Sequence, residues 1–405
     1  MQELRQKLAQ DLAKECKSLE DIHTLLKDLF RQTIEEVLEA EMTEHLGYEK
    51  HDSDGINTGN SRNGYSKKTV QTQLGKTTVE VPRDRKGRFE PKIIRKYETN
   101  ASEVEEQIIA MYAKGMSTRD IEAHMRDIYG IDCSAELVSR VTDKIMPMII
   151  EWQSRPLDRL YPIVYLDAIH FKVRKDGKIV TKAVYTALGV DSNGRKDILG
   201  FWVGENESAS FWVNVCNELK SRGVEDILIV CKDGLSGFSD AIHSAFPNAD
   251  TQLCVIHQIR SCLRYVSYKD SKMVVSDMKP IYQASTLEQA EVEFEKFKQK
   301  WQSKYPLVIT SWERNWLELT AFFSFPHAIR RVIYTTNSVE AYHRQLRKVT
   351  KTKTAFPTDD SLRKIVYLAT ADITKKWTMP VQNWAECISQ LIILFGERVT
   401  SKIVV

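Results

Sequence analysis

Hydrophobic residues near the N-terminus recur at spacings of three and four, which predicts an amphipathic helix from residue 1 to about residue 47. A stripe of this kind is more typical of core packing or of a dimer seam than of a chemical site. The stripe consists of Leu25, Leu26, Leu29, Phe30, Ile34, Val37, Leu38 and Met42.

Turn-forming residues dominate the next stretch, so residues 50–66 are expected to form a loop. Alternation of apolar and polar residues from Lys67 to Val81 then predicts strands on either side of a turn at Gly75. The basic segment that follows, PRDRKGRFEPKIIRKY, is interrupted by Pro82 and Pro91. We expect it to lead as an exposed arm into the next unit.

Residues 101–147 predict three short helices in a helix-turn-helix arrangement. The second helix, Thr118 to Asp127, has Ser117 or Thr118 as its N-cap. In a three-helix DNA reader the last helix enters the major groove, although any small helical bundle would give the same pattern. The residues expected on the DNA-facing side of the last helix are Ser134, Glu136, Ser139 and Arg140.

Strand and helix patterns alternate through the middle of the chain. Strands are predicted at 162–173, 180–191, 197–203, 226–231 and 251–254, and helices at 208–222, 235–246 and 255–266. The order βββαβαβα matches the RNase H-like fold, a mixed α/β sheet in which three antiparallel strands precede parallel ones. Residues 270–330, Thr336 to Lys348 and 360–405 are expected to be helical.

Composition adds little to this picture. The 405 residues, 42% hydrophobic and 28% charged, are typical of a soluble globular protein with two or three domains. The apolar stretch from Ile388 to Phe395 is too short for a membrane span, and the charged N-terminus lacks a secretory signal. Seven scattered cysteines without a CxxC pair favour reduced thiols, so we expect a cytoplasmic protein.

The net charge of +3 hides two basic blocks. Residues 61–98 contain eleven Lys and Arg against four Asp and Glu, and residues 344–364 contain seven against two. A single charge run is usually a solvated face. Two runs that each adjoin a motif favour surfaces that bind nucleic acid.

Three acidic residues occupy positions typical of catalytic carboxylates. Asp167 interrupts an apolar strand, Asp233 directly follows another, and Glu340 lies on a helix before the second basic block. In an RNase H-like sheet the first and fourth strands are neighbours, which would bring the two aspartates together. Carboxylates placed in this way suit two divalent ions that catalyse phosphoryl transfer. Asp233 alone could cap a helix, and Glu340 alone could be an ordinary surface residue. The prediction of a catalytic site therefore depends on the three carboxylates occurring together in this order.

The blocks YLDAIHFKVR, CKDGLSGFSDAI, LCVIHQIR and TTNSVEAYHRQLRK resemble the signature blocks of the IS256 or Mutator-type insertion-sequence transposases. The resemblance extends over essentially the whole chain. It implies a DDE transposase with the triad Asp167, Asp233 and Glu340, in which a helical insertion separates the second aspartate from the glutamate. It also implies two ions of Mg²⁺ or Mn²⁺ as the cofactor.

The resemblance also places supporting residues. The Cys254 and His257 pair matches a Cys-x-x-His element of the family, although a packed cysteine with a histidine at a helix start is nearly as good a reading, and one such pair is a weak zinc signal. Asn337 would orient Glu340, contact DNA or cap its helix. The basic residues expected to grip DNA phosphates are Arg83, Arg85, Lys86, Arg88, Arg344, Arg347, Lys348 and Lys351.

The resulting domain prediction has five parts. They are an N-terminal helical region with the basic arm for end binding or dimerisation (1–100), the helix-turn-helix (101–150), the first part of the catalytic core (158–268), the helical insertion (269–331), and the rest of the core with a C-terminal helical tail (332–405).

The function predicted is therefore that of a transposase that binds terminal inverted repeats, cuts a DNA strand and joins the 3′-OH to target DNA. The resemblance also implies a homodimer or a larger synaptic assembly and a copy-out, circle-forming route. Two rivals stay open. An RNase H-like nuclease would cleave without joining, and a regulator derived from a transposase would bind DNA without needing all three carboxylates.

Overall fold

The computed structural model describes residues 18–50, 52, 59–72, 75–93, 101–205, 208–334 and 337–402. The chain forms two units, Met1–Tyr112 with Met116–Thr142, and Ala113–Gly115 with Asp143–Val405. The predicted start of the first helix, residues 1–17, lies outside the described residues.

Helix α1 (Leu19–Leu46) opens the first unit. Ser18 and Asp21 form a reciprocal capping box at its start, and Gly47, with a φ of +79°, ends it in the left-handed conformation. The predicted apolar stripe is buried only in the second half of the helix, at Ile34, Leu38 and Met42. In the first half its residues Leu26, Leu29 and Phe30 are exposed, as is the neighbouring Ile22.

Strands β1 (Arg62–Thr72) and β2 (Gly75–Asp84) form the predicted antiparallel hairpin, with residues 73–74 outside the described residues. Alternate residues of the hairpin face α1, because successive side chains of a strand point to opposite sides. Val70, Val79 and Val81 thereby form a buried cluster with Ile34 and Leu38. This small core holds the hairpin to the helix.

The expected basic arm begins in β2, and its described residues after Asp84 fold back on that carboxylate, while Arg83, Arg85, Lys86 and Arg88 stay exposed. The buried carboxylate of Asp84 accepts hydrogen bonds from the backbone N–H groups of Arg88, at 3.1 Å, and Phe89, at 3.0 Å, and from the Asn60 amide at 2.7 Å. Phe89 and Pro91 are buried as a result. Residues 94–100 of the expected arm lie outside the described residues.

Three helices follow, α2 (Ala101–Ala113), α3 (Thr118–Tyr129) and α4 (Ala135–Asp143). Of the two candidate caps it is Ser117 that begins α3, in a capping box with Asp120. The Ser134 hydroxyl accepts a hydrogen bond from the Leu137 N–H at the start of α4. The three predicted helices are therefore present, and the residues predicted to face DNA on α4, Ser134, Glu136, Ser139 and Arg140, are exposed.

The second unit is built on a mixed five-stranded sheet, preceded by α5 (Ile145–Ser154). The strands are β3 (Leu160–Lys175), β4 (Lys178–Val190), β5 (Lys196–Gly204), β6 (Asp226–Lys232) and β7 (Asp250–Leu253). Their order is β5-β4-β3-β6-β7. The first three are antiparallel neighbours, and β6 and β7 run parallel to β3. The predicted α/β class with a mixed sheet is confirmed.

Helices α6 (Ala209–Ser221) and α7 (Phe238–Ala245) connect the later strands and share the core of the sheet. Trp212 of α6 stacks on Phe238 of α7 with ring centroids 4.6 Å apart, and it meets Tyr185 of β4 edge-on. Every residue of β6 is buried, as its continuous apolar run predicts for a central parallel strand.

Helices make up the remainder of the second unit. They are α8 (Val255–Leu263), α9 (Tyr268–Gln283), α10 (Leu287–Trp301), α11 (Pro306–Thr320), α12 (His327–Ile333), α13 (Asn337–Thr350), α14 (Asp359–Thr374), α15 (Trp384–Phe395) and α16 (Glu397–Thr400). The predicted helical stretch at 270–330 corresponds to α9 to α12, and its Trp301 and Trp312 are core residues. In the part of the chain that the structure describes, none of the helices combines the length and the apolar character needed to span a bilayer.

The first prediction concerns Asp84. Burial raises the pKa of its carboxyl, but the hydrogen bonds from Phe89, Asn60 and Arg88 outweigh burial and lower it to about 2. A lowered folded-state pKa stabilises the fold above the unfolded value of 3.8, and the stabilisation is lost as the pH falls towards 2. We expect Asp84→Asn to lower the free energy of unfolding at pH 7 by about 2 kcal/mol. It should also remove this acid dependence in urea unfolding followed by circular dichroism.

Glu90→Gln is the matched control, because Glu90 is exposed on the same segment. Equal stability and equal acid dependence of Asp84→Asn and wild type would contradict this assignment.

Candidate active site

Asp167 is the most deeply buried of the three predicted carboxylates. It lies in the middle of β3 opposite Thr186 of β4, and only 3% of its surface is exposed. One of its oxygens accepts a hydrogen bond from the Ala168 N–H, and the other lies 3.4 Å from Nδ1 of His343. A buried carboxylate needs such partners, because losing water without replacement is strongly unfavourable.

The register of β3 and β6 brings Asp233 beside Asp167. These strands are parallel, and Tyr165 pairs with Cys231 at the carboxyl end of the ladder. Asp167 and Asp233 each follow that pair by two residues, so they lie at corresponding positions, Asp167 within β3 and Asp233 directly after β6. The expected juxtaposition of the two aspartates is confirmed.

His257 joins the two aspartates from the first turn of α8. Its Nδ1 is in direct contact with Oδ1 of Asp233, and its Nε2 lies 3.4 Å from Oε1 of Glu340. Cys254, buried at the N-cap of α8, donates its backbone N–H to the carbonyl of Lys232 at 2.9 Å. The predicted Cys254 and His257 pair therefore lies at the site, with the histidine side chain directed to the carboxylates.

Glu340 reaches the same place from the first turn of α13. Two guanidinium nitrogens of Arg260 donate to its carboxylate, at 2.6 and 3.3 Å. The structure therefore brings all three predicted carboxylates together. Asp167 and Glu340 line a cavity of about 400 Å³, called here the acidic pocket, whose lining also includes His257, Arg260, His343, Arg344 and Arg347. Asp233 is not among the lining residues and meets the pocket through its contact with His257.

Two residues of the acidic pocket, His343 and Arg260, are missing from the sequence prediction. The buried His343 links Asp167 to β4, because its Nε2 lies 3.4 Å from the Thr186 hydroxyl. His343 follows Glu340 by three residues and Arg260 follows His257 by three, so each shares a helix face with a predicted residue. That spacing is the signal that could have identified them.

The carboxylates and imidazoles shift one another's pKa values. Burial, helped by the charge of Asp167, raises the pKa of Asp233 to about 6 in spite of the contact with His257. Burial lowers the pKa of His257, but hydrogen bonds to Asp233 and Cys254 outweigh it and raise the value to about 11. Burial raises the pKa of Asp167, but the hydrogen bond and the charge of His343 outweigh burial and hold that pKa below its usual range. At neutral pH Asp233 thus faces a cationic His257.

A divalent cation fits this donor set. Ligand atoms of Asp167, Asp233 and His257 all lie within 4.8 Å of one another. Carboxylate oxygens are the ligands that Mg²⁺ and Mn²⁺ prefer, and Mn²⁺ also accepts imidazole nitrogen. A cation between the two aspartates would take over the charge neutralisation that His257 provides.

The predicted DNA-binding residues fall into separate places. Arg344 and Arg347 line the acidic pocket, and Lys348 and Lys351 are exposed at and beyond the end of α13. The backbone of Asn337 begins α13, but its side chain lies outside the described part of the chain. The remaining predicted residues belong to the first unit.

In the first unit, Arg83, Arg85 and Lys86 line a groove of about 580 Å³ beside the hairpin, together with Lys67. We call it the hairpin groove. Arg88 is exposed between two of its lining residues, Gly87 and Phe89. The folding of residues 82–91 around Asp84 is what gathers these cations on one surface.

Comparison with known proteins shows similarity to transposases. A family model described as "Transposase, Mutator family" matches residues 1–380. The chain is 45% identical over 375 residues to a probable transposase for insertion sequence element ISRM3-like of Sinorhizobium fredii. The aligned region covers 92% of this chain and 93% of the relative. It is 43% identical over 375 residues to the transposase for ISRM3 of Rhizobium meliloti, with the same coverage. The transposase for IS256 in transposon Tn4001 of Staphylococcus aureus is 25% identical over 354 residues, 87% of this chain and 90% of the relative.

The second prediction is a pH dependence of cation binding. Because Asp233 titrates near pH 6 without a metal, a proton competes with the cation below that value. We expect the Mn²⁺ affinity of the full-length protein to fall as the pH is lowered through 6, by up to about tenfold per unit. Electron paramagnetic resonance of free Mn²⁺ measures this directly. Asp240→Asn, an exposed aspartate on α7, is the control, and an affinity that is flat from pH 5 to 7.5 would refute the assignment.

Proposed function

The chain belongs to the Mutator family of transposases, and from that premise we propose that it cuts and joins DNA at the ends of an insertion sequence with Asp167, Asp233 and Glu340. The observation that carries this proposal is the convergence of the three carboxylates around His257: Asp167 and Glu340 line the acidic pocket with Arg344 and Arg347, and Asp233 contacts His257 and lies within 4.8 Å of Asp167 by its ligand atoms. Carboxylates that gather cations beside arginines that attract phosphate suit phosphoryl transfer.

The fold proposed for the catalytic unit is RNase H-like. The strand order β5-β4-β3-β6-β7, with three antiparallel strands followed by two parallel ones, supports it. Helices α9 to α11 lie in the chain between Asp233 and Glu340, where the family resemblance places a helical insertion. The catalytic residues thus come from β3, from the end of β6 and from α13.

Asp167 and Asp233 are the proposed ligands of Mg²⁺ or Mn²⁺, with Glu340 and His257 beside them. When bound, two such ions activate the attacking oxygen and stabilise the leaving one. In the first step water attacks a phosphodiester, and the bond to the 3′ oxygen breaks as the new P–O bond forms. In the second step the released 3′-OH attacks a phosphodiester of target DNA, again exchanging one P–O bond for another.

The protein's own side chains act around these steps. Arg344 and Arg347 bind the phosphates that flank the cut, and Lys348 and Lys351 extend this cationic surface along the DNA. His257 carries a proton between Asp233 and Glu340, so it compensates the negative charge of the pocket before the cations enter. Arg260 holds the Glu340 carboxylate in place through two hydrogen bonds.

The first unit is proposed to bind the terminal inverted repeats. Its helices α2 to α4 form the helix-turn-helix, and α4 presents Ser134, Glu136, Ser139 and Arg140 to the major groove. The hairpin groove binds the phosphate backbone through Arg83, Arg85 and Lys86, with Arg88 beside it. The assembly is a homodimer or larger synapse, and the exposed apolar start of α1 supports a second copy as its cover.

The third prediction tests the reaction. With a labelled DNA fragment that carries the element's own end, and with Mg²⁺, the wild type should nick the end and form joined products. Asp167→Asn, Asp233→Asn and Glu340→Gln should each lose at least about a thousandfold in rate and still bind the end. Nicking without joining would favour a nuclease. End binding without cleavage by the wild type, under conditions that support synapsis, would favour a regulator.

The fourth prediction tests the hairpin groove. Replacing Arg83, Arg85 and Lys86 together by Gln should weaken DNA binding, and it should reduce the slope of log affinity against log salt by about 2 to 3. Fluorescence anisotropy over a range of NaCl concentrations measures both. Lys92→Gln is the matched control, because that exposed lysine is already ion-paired with Glu44 at 3.6 Å. Loss of affinity with an unchanged salt slope would contradict a phosphate-binding role.

A further inference from the structure

Helix α11 makes polar contacts with the residues next to Asp233 and His257, although it does not line the acidic pocket. Three of its side chains, Ser311, Asn315 and Glu318, are spaced by four and three residues. This spacing places them on one face of the helix. We call this face the polar face of α11.

The first set of contacts involves Lys232, which immediately precedes Asp233. The Lys232 side chain is only 2% exposed, and its Nζ lies 2.8 Å from Oε2 of Glu318. The other oxygen of Glu318 accepts a hydrogen bond of 2.5 Å from the Ser239 hydroxyl on α7. A buried ammonium group is strongly unfavourable without a counter-ion, so Lys232 is held where Glu318 places it.

The second set involves Gln258, which immediately follows His257. The Gln258 amide donates to the Ser311 hydroxyl at 2.8 Å and accepts from the Asn315 amide at 2.9 Å. Both polar atoms of the buried Gln258 side chain are therefore bound to α11. This fixes the rotation of the first turn of α8, from which His257 projects.

The contacts with Lys232 and the contacts with Gln258 are made by the same helix, so α11 connects the two residues. Asp233 and His257 belong to different elements. A backbone hydrogen bond, from the N–H of Cys254 to the carbonyl of Lys232, connects these elements. The polar face of α11 adds a side-chain link to each, because Glu318 binds the neighbour of Asp233 and Asn315 binds the neighbour of His257. The distance between Asp233, a proposed ligand of the cation, and His257, which lies beside it, is set in this way from outside the pocket.

We propose that the polar face of α11 is a positioning element that sets Asp233 and His257 for cation binding, with Glu318 as its principal residue. The proposal rests on the proposed function, since it concerns the same acidic pocket. It gives the helical insertion a task in catalysis in addition to its own packing.

The test measures Mn²⁺ binding to the full-length protein by electron paramagnetic resonance, without DNA, for the wild type and Glu318→Gln. Substitutions behind metal ligands typically reduce metal affinity by about 10- to 100-fold, so we expect a loss of at least about tenfold. The Mn²⁺ concentration that half-saturates cleavage of end DNA should rise by the same factor, with end binding unchanged.

Glu313→Gln is the matched control. Glu313 lies on the same helix, outside the polar face, where its Oε1 is 2.6 Å from Nζ of Lys298. It should bind Mn²⁺ as the wild type does. A second test variant, Asn315→Leu, acts through Gln258 and leaves the buried charge of Lys232 compensated, so it keeps the proposal testable if Glu318→Gln does not fold. It should weaken Mn²⁺ binding by about tenfold.

Wild-type Mn²⁺ affinity in folded Glu318→Gln or in Asn315→Leu would overturn the proposal. A lower thermal midpoint with unchanged Mn²⁺ affinity would also overturn it, because it would indicate a merely structural contact. If the wild type binds Mn²⁺ but does not cleave end DNA, the proposed transposition chemistry fails, and the effect of Glu318 on the cation site is still read from the binding measurement.

Discussion

Gathering negative charge at one edge of a sheet is the constraint on which the second unit depends. Asp167 is almost completely buried, Glu340 lines the same pocket from another helix, and Asp233 contacts the pocket residue His257. Like charges at this separation repel strongly in a region of low dielectric. The structure compensates them with His343 at Asp167, His257 at Asp233, and Arg260 at Glu340. Each of these cationic or hydrogen-bonding partners comes from α8 or α13, so these two helices must pack at the sheet edge.

This compensation explains how the protein can keep a cation site folded before a cation arrives. A divalent ion and the set of basic side chains are alternative counter-charges for the same carboxylates. His257 is the basic residue that a cation would most directly replace as a counter-charge, because it contacts Asp233 and lies close to Glu340. The arginines of α13 add positive charge at the mouth, where a DNA phosphate would enter. The acidic pocket is in this sense prepared for both partners of the proposed reaction.

Sequence patterns predicted the helices and strands of the chain better than the contacts at the acidic pocket. The apolar run of β6, the alternation of the hairpin and the cap at Ser117 are local signals, and the structure confirms them. The side-by-side placement of Asp167 and Asp233 followed from strand order alone. His343, Arg260 and Glu318 were not predicted, because a partner's identity depends on how helices pack far apart in the chain. The fold of the basic arm after β2 was not predicted for a related reason: one carboxylate, Asp84, accepts hydrogen bonds from the backbone N–H groups of Arg88 and Phe89, and periodicity carries no sign of that.

The central claim is that basic side chains hold the three carboxylates until a divalent cation replaces them. A crystal structure of the full-length protein grown with Mn²⁺, with anomalous diffraction at the manganese edge, tests it most directly. The account predicts manganese between Asp167 and Asp233, with the direct contact between His257 and Asp233 opened. Manganese bound elsewhere, with the contacts of His257 and Arg260 to the carboxylates unchanged, would contradict it.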